Sequence, residues 1–403
     1  MFSRQHSSME DDVIPENLIL EVLSRLHVKT IIRCKCVCKK WRDLVSDSYF
    51  VHLHLSRSRE AALMILTTTR PGILKWVELG HEVENPCVRV KWLDLMGCAP
   101  VADYYQTLVG SVNGLICSFQ FSNEDDQQVV IFNPVLEEHM ILPQPRQDLS
   151  QLGYGFGVSR GGEYKVIRIC ARISSTPNLY DEDKIEAVEI EVYTLGTGQW
   201  RILGQTPLNL NLKPGPNSGV FVNSHVYCLG DDQIYDFDLN TETFELFPSP
   251  PGDNRESEKM LGVLKGRLSR VSWCSLGLEV WVMKEESWSK EITIQEDICH
   301  LSGYGFRPVC LFDGLKGASI LMASLEGPYE LIVHCLTTNT NLHLKIRYYG
   351  DPIRTYSPSF VKLSSFGLER VDAMYGRVRK ISTSLFLLIH IFLQIVIELI
   401  RFC

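Results

Sequence analysis

The sequence predicts an α+β multidomain chain. A small all-α module at the N-terminus is followed by an all-β, propeller-like repeat domain of about six blades. Two observations carry this. Apolar residues recur at helical spacing from Val13 to Leu55, and from about Ala61 the period becomes strand-like. Within the second region a short strand, a polar turn and a second strand recur along some 300 residues, as expected of an array of small sheets.

The helical module comes first. Pro15 suits a first helical position, where its missing N–H costs nothing. Leu18, Ile19, Val22, Leu23 and Leu26 then lay one apolar stripe along a helix of about three turns. Thr30 is the expected N-cap of a second helix carrying Ile31, Ile32, Cys34, Val37, Cys38 and Trp41, with Leu44 and Val45 continuing its face. Lys29, Arg33, Lys35, Lys39, Lys40 and Arg42 occupy its other side. Three or four short helices have more apolar residues than so small a core needs, which fits either a partner or packing onto the rest of the chain.

Ile14-Pro15, the L-I-x-x-V-L-x-x-L helix and R-C-K-C-V-C-K-K-W ending in Phe50 resemble the plant F-box pattern over residues 11–55. The resemblance implies docking onto a Skp-type adaptor and, through it, a cullin. Carried over, the adaptor contacts are Ile14, Pro15, Leu18, Ile19, Val22, Leu23, Val37, Cys38 and Trp41, some of which belong to the module's own core. Neither a metal site nor a nucleic-acid interface suits this stretch. Cys34, Cys36 and Cys38 on one helix point about 200° apart at each two-residue step and do not converge on a metal ion. The basic run lacks interleaved aromatics and sits in a chain of net charge −8, so no nucleic-acid partner is expected.

In the β region the paired anchors are Phe132/His139, Tyr193/Trp200, Phe237/Phe244, Trp281/Trp288 and His334/Asn341, each seven residues apart. Successive first anchors are separated by 61, 44, 44 and 53 residues, and Leu63–Leu79 reads as a looser sixth copy. At about 45–50 residues per blade, residues 60–366 make roughly six. Gly153-Tyr-Gly-Phe-Gly157 is echoed by Gly303-Tyr-Gly-Phe-Arg307. Its glycines allow strands to approach and its aromatics fill space between blades, with a ligand contact by Tyr154 or Tyr304 as the alternative. Asn113-Gly114 is a hairpin-turn signal. Residues 110–117, 130–134, 153–157, 163–169, 281–284 and 356–361 are similar to the F-box-associated, kelch-like domain of plant F-box proteins. That resemblance implies capture of a protein to be ubiquitinated, whose identity no motif encodes. The domains expected are 11–55, 60–368 and an atypical apolar tail, 369–403.

No HExxH, Walker A or Rossmann glycine motif occurs. The acidic runs 124–126 and 181–183 suit solvated loops, and His225, His300, His334 and His343 suit structural roles. The expectation is therefore a non-catalytic receptor subunit of a ubiquitin ligase with no cofactor or metal. The alternative is a propeller enzyme or glycan-binding module. Thirteen irregularly spaced cysteines, no sequon and a polar N-terminus suggest reduced thiols in cytoplasm or nucleus. Ile381–Ile397 carries no formal charge and follows Arg377, Arg379 and Lys380. It reads as a short membrane anchor, a packed amphipathic helix or an atypical end. Three rim segments (145–152, 204–219, 249–260) and a fourth, 295–302, are the expected recognition loops.

Overall fold

The computed structural model describes residues 15–57, 62–67, 73–79, 88–94, 104–122, 127–174, 184–206, 217–230, 233–251, 257–274, 277–294, 306–314, 317–324, 330–344 and 353–374. The chain divides into two units: the helices belong to one, and all the described strands to the other, Glu60–Arg377. Ile14, Tyr304, His300, the two acidic runs, segment 295–302 and the tail 381–403 lie outside the described residues.

The helical unit comprises α1 (Glu16–Leu23), α2 (Val28–Cys34), α3 (Lys39–Ser46) and α4 (Ser48–Arg57). Pro15 is the residue before α1, which spans eight residues rather than three full turns. The single second helix expected from Thr30 is two helices. His27 caps α2, its Nδ1 accepting the Lys29 N–H at 3.1 Å, and Thr30 is buried inside it. The backbone breaks after Cys34, and Cys38 opens α3 with its sulfur accepting the Trp41 N–H at 3.4 Å. Val22, Leu23, Val28, Ile31, Cys34, Val45 and Phe50 form the buried interior. Glu21 ties the ends together, receiving Arg25 at 2.7 Å and Arg57 of α4 at 2.8 Å.

The β unit begins with β1 (Ala62–Thr67), β2 (Ile73–Leu79) and β3 (Val88–Asp94). A second sheet contains β4 (Tyr104–Val112), β5 (Leu115–Ser122), β6 (Gln127–Asn133) and β7 (Glu138–Ile141). The third contains β8 (Ser150–Val158), β9 (Tyr164–Ser174), β10 (Lys184–Thr194), β11 (Trp200–Gln205) and, parallel to β8, the short β12 (Asn217–Ser218). The fourth is β13 (Val220–Val222), β14 (His225–Leu229), β15 (Ile234–Asp238) and β16 (Thr243–Phe247). The fifth is β17 (Glu258–Leu264), β18 (Arg267–Cys274), β19 (Gly277–Lys284) and β20 (Ser287–Ile294). The sixth is β21 (Phe306–Gly314), β22 (Gly317–Ser324), β23 (Leu331–Cys335) and β24 (Thr340–Leu344). Finally β25 (Ile353–Tyr356) returns to pair with β1, and β26 (Val371–Ala373) pairs with β7.

The strands thus form six sheets, and β4, β8, β13, β17, β21 and β25 touch in succession until β25 meets β4 again. This is an all-β propeller, closed by pairing β25, from late in the chain, with its first strand. The core lies between neighbouring sheets: Phe119, Phe156 and Tyr193 fill one joint, and Val271, Leu311 and Ile332 another. The β unit extends beyond the expected boundary at 368, because β26 pairs with β7 and the Glu369 carboxylate accepts the Tyr193 hydroxyl at 2.6 Å.

Four of the five anchor pairs are direct cross-strand partners in the outer hairpins: Phe132/His139, Tyr193/Trp200, Phe237/Phe244 and His334/Asn341. The fifth is not. A bulge at Val280/Trp281 and a two-residue turn pair Trp288 with Met283 and Trp281 with Lys290. The sixth copy also differs, since Leu63–Leu79 forms the β1–β2 hairpin, the middle of a sheet whose inner strand comes from β25.

Candidate interaction surfaces

Of the nine sequence-predicted adaptor contacts, the eight that are described separate by exposure. Val22 and Leu23 are buried and belong to the helical core. Leu18 is 42% exposed and Val37 40%, Pro15 and Cys38 are exposed, and Ile19 and Trp41 are half-buried. Lys40 Nζ lies 3.6 Å from the Glu16 carboxylate, which brings the first turns of α1 and α3 to one end of the unit. Pro15 and Leu18 therefore share that end with Cys38 and Trp41. Lys35, Lys39, Lys40 and Arg42 border it, and neither α2 nor α3 has an acidic residue in its first turn. Lysines at a helix N-terminus oppose the helix dipole, at a cost of about 0.3–1 kcal/mol where exposed. Tyr49, 64% exposed, was missed by periodicity because it faces away from the apolar stripe.

In the propeller the motifs read from the sequence sit at joints between sheets. On β8, a Cβ at Gly155 would come 2.6 Å from Val226, and one at Gly157 2.5 Å from Leu239, so these glycines let the third and fourth sheets approach. Tyr154 is buried with its ring 4.8 Å from that of Phe119, and burial pushes its phenol well above the usual range. Asn133 is fully buried. Its Nδ2 donates to the carbonyls of Ser359 and Val361 at 3.2 and 2.7 Å, and its Oδ1 accepts the N–H groups of Val135 and Leu136. Trp200 and Trp288 each donate an indole N–H, at 2.7 Å, to the carbonyl of Pro143 and Pro248 on the preceding sheet's exit segment. Segment 145–152 is tied down by Arg146, which bonds Glu189 and Glu191, and by the Leu149 carbonyl, which accepts Arg168.

Histidine chemistry is structural where it is described. His225 Nδ1 is 2.9 Å from Asp236, and His334 Nδ1 is 2.7 Å from the Asn341 amide oxygen. Cys34, Cys117, Cys170, Cys228, Cys310 and Cys335 are buried free thiols, and Cys36 and Cys38 exposed ones. Burial pushes the thiols of Cys34 and Cys228 up to about 12. Among the described residues no cluster of His, Cys, Asp and Glu could hold a metal ion, and no helix is long and apolar enough to cross a membrane.

A short helical module followed by a closed propeller defines the class. Residues 12–53 match the F-box domain family, and residues 95–341 match the F-box associated beta propeller domain family. An Arabidopsis thaliana F-box/kelch-repeat protein is 27% identical over 327 residues, 75% of this chain and 84% of that protein. An F-box protein of the same plant is 27% identical over 380 residues, 87% of this chain and 86% of its own length. The chain belongs to the plant F-box proteins that carry an F-box-associated propeller domain. Among solved structures, an oligogalacturonate lyase in complex with manganese is similar at a TM-score of 0.40 and 12% identity, covering 70% of this chain and 77% of that one. The Aleuria aurantia lectin is similar at a TM-score of 0.40 and 8% identity, covering 73% and 97%.

Proposed function

We propose that this chain is the substrate-recognition subunit of a Skp–cullin–F-box ubiquitin ligase. The helical unit docks a Skp-type adaptor, each of the six sheets is one propeller blade, and the propeller holds the protein to be ubiquitinated. The chain performs no chemistry of its own and works in the cytoplasm or nucleus. The observation that carries the reading is the exposed apolar end of an F-box whose interior is already filled by other residues. Leu18 and Val37 are left 42% and 40% exposed. F-box domains in general bind such adaptors, and a basic border suits an acidic one.

Co-purification with a Skp-type adaptor tests it. A Pro15→Ala/Leu18→Ala variant with unchanged circular dichroism should bind at least about tenfold more weakly, as expected for truncating an apolar anchor at an interface centre. Binding equal to wild type would remove the assignment of this surface.

A further inference from the structure

The innermost strands enclose a cavity of about 320 Å³ to which all six sheets contribute. Ser111, Phe156, Val220, Leu261, Cys310 and Thr355 supply one wall residue from each sheet. Bulges and bare backbone shape it. Three of the six innermost strands are bulged beside the cavity, at Leu108/Gly110 on β4, Gln151/Gly153 on β8 and Pro308/Cys310 on β21. Gly110, Gly153 and Cys310 all lie on the wall. Each bulge inserts a residue with no cross-strand partner, a device that recurs beside functional sites. Gly219 and Gly262 also line the cavity, and a Cβ there would fall 2.4 Å from Val226 and 2.8 Å from Leu311. Neighbouring sheets therefore meet at these points over bare main chain.

Main chain supplies the hydrogen-bonding groups that side chains here mostly do not. Among the described lining residues only Ser111, Ser218, Arg354 and Thr355 have oxygen or nitrogen in their side chains. Two of these bond the wall itself. The Ser218 hydroxyl donates to the Leu108 carbonyl at 3.1 Å, and Arg354 Nε to the Val109 carbonyl at 3.3 Å. Five of the six innermost strands end their sheet's order, so among the described residues their second edge has no strand partner. The exception is β8, covered at Gly153 and Tyr154 by β12. A strand edge of this kind offers both N–H donors and C=O acceptors. A ligand group that both donates and accepts matches such an edge. A carboxylate only accepts, so the carbonyls facing it would go unpaired. A cation only donates, and no described lining residue is acidic. The volume lies at the small end of the range for ligand pockets.

We propose that this cavity is a binding site for a compact, uncharged small molecule, an apolar body bearing an amide-like group that donates and accepts hydrogen bonds. The strand edges pair with that group, and apolar wall residues such as Phe156, Val220 and Leu261 cover the body. The site goes beyond the ligase reading, since it stands whether or not the helical unit docks an adaptor.

The test titrates the full chain, its methionine methyl groups isotope-labelled for NMR, with three planar isosteres: benzamide, benzoate and benzamidinium. Met260 lines the cavity, whereas Met140 is buried in the joint between the second and third sheets. Benzamide should shift the Met260 methyl resonance and leave that of Met140 in place. It should also bind at least about tenfold more tightly than either ion, the scale of one polar group left unpaired. Thr355→Trp puts a large ring at an exposed wall position and should abolish the Met260 response with Met140 unchanged. The proposal is overturned if benzamide leaves Met260 of the wild type unmoved or if either ion binds as tightly. It is equally overturned if a folded Thr355→Trp chain binds benzamide as well as wild type. The wild-type titrations decide the matter even if the variant misfolds. Adaptor co-purification, measured in parallel, reports separately on the ligase reading.

Discussion

Replacing Asn133 by aspartate changes one atom's chemistry and leaves the shape intact, so it isolates how the chain's end is fastened to the second sheet. The amide donates to two carbonyls, of Ser359 and Val361, at 3.2 and 2.7 Å within a fully buried site. Asn133→Asp keeps the acceptor that receives Val135 and Leu136, but turns a carboxylate oxygen toward those two carbonyls. Two donations are lost and a negative charge is buried against oxygen, at a combined cost of about 3–5 kcal/mol. For a β unit of about 320 residues that is a fall of roughly 4–8 °C in melting temperature. Burial and the facing carbonyls raise the folded pKa of the new carboxyl above its unfolded value near 3.9. A raised pKa contributes stability below the unfolded value that is lost as pH rises through the folded one. The deficit against wild type should therefore be smallest in mild acid, where the protonated acid again donates to one carbonyl, and full at neutral pH. Thermal melts of the intact chain at several pH values read both quantities. A deficit under about 0.5 kcal/mol, or one independent of pH, refutes the fastening role.

Three further outcomes follow from the same geometry. Gly114→Ala should destabilise the chain by about 1–3 kcal/mol in denaturant titration, because its φ is +78° and the new Cβ would fall 2.2 Å from the Ser359 hydroxyl. Arg168→Ala should cost about 3–5 kcal/mol, because it takes a fully buried partner at 2.8 Å from the buried Glu191 carboxylate, and replacing both by apolar residues should recover part of the loss. Glu21 has its pKa held down by hydrogen bonds from Arg25 and then Arg57, so its stabilisation is present above the unfolded value and lost as pH falls through the folded one. Amide exchange in residues 16–57 should accelerate below about pH 4, and Glu21→Gln should flatten that dependence.

The seven-residue spacing was legible because it has a geometric cause. Two residues that face each other across an outer hairpin must be separated by a turn of fixed length, and a large side chain is useful at both places. The turn's backbone was not legible in the same way. The residue five beyond the first anchor is left-handed in four hairpins, at Glu137, Gly198, Glu242 and Asn339. Only glycine and asparagine announce that conformation, so two of the four carried no signal. Trp281/Trp288 kept the spacing without the pairing, since a bulge and a shorter turn compensate in number but not in register. In the helical unit the apolar phase runs on from α2 into α3 while the backbone breaks, and a cysteine sulfur is not among the usual capping groups. Periodicity groups the candidate adaptor contacts as one set of apolar residues, but only three-dimensional exposure separates Leu18 and Val37 from Val22 and Leu23.

Motifs that made the β region recognisable hold the ring shut. Asn113-Gly114 meets Ser359, which donates to the Asn113 carbonyl, and Asn133 meets Ser359 and Val361. The Glu138 carboxylate accepts the Leu363 N–H at 3.0 Å, and Glu369 receives both Tyr193 and the Gly196 N–H. Each contact ties residues from the second or third sheet to the segment 359–369 that follows the closing strand. A ring whose first sheet borrows a strand from a late segment of the chain gains its cooperativity only when that segment is fastened. The loops between fastened sheets are free of that constraint and can vary without opening the ring. This accounts for a chain whose family is plain in its sequence while the partner of its propeller is not.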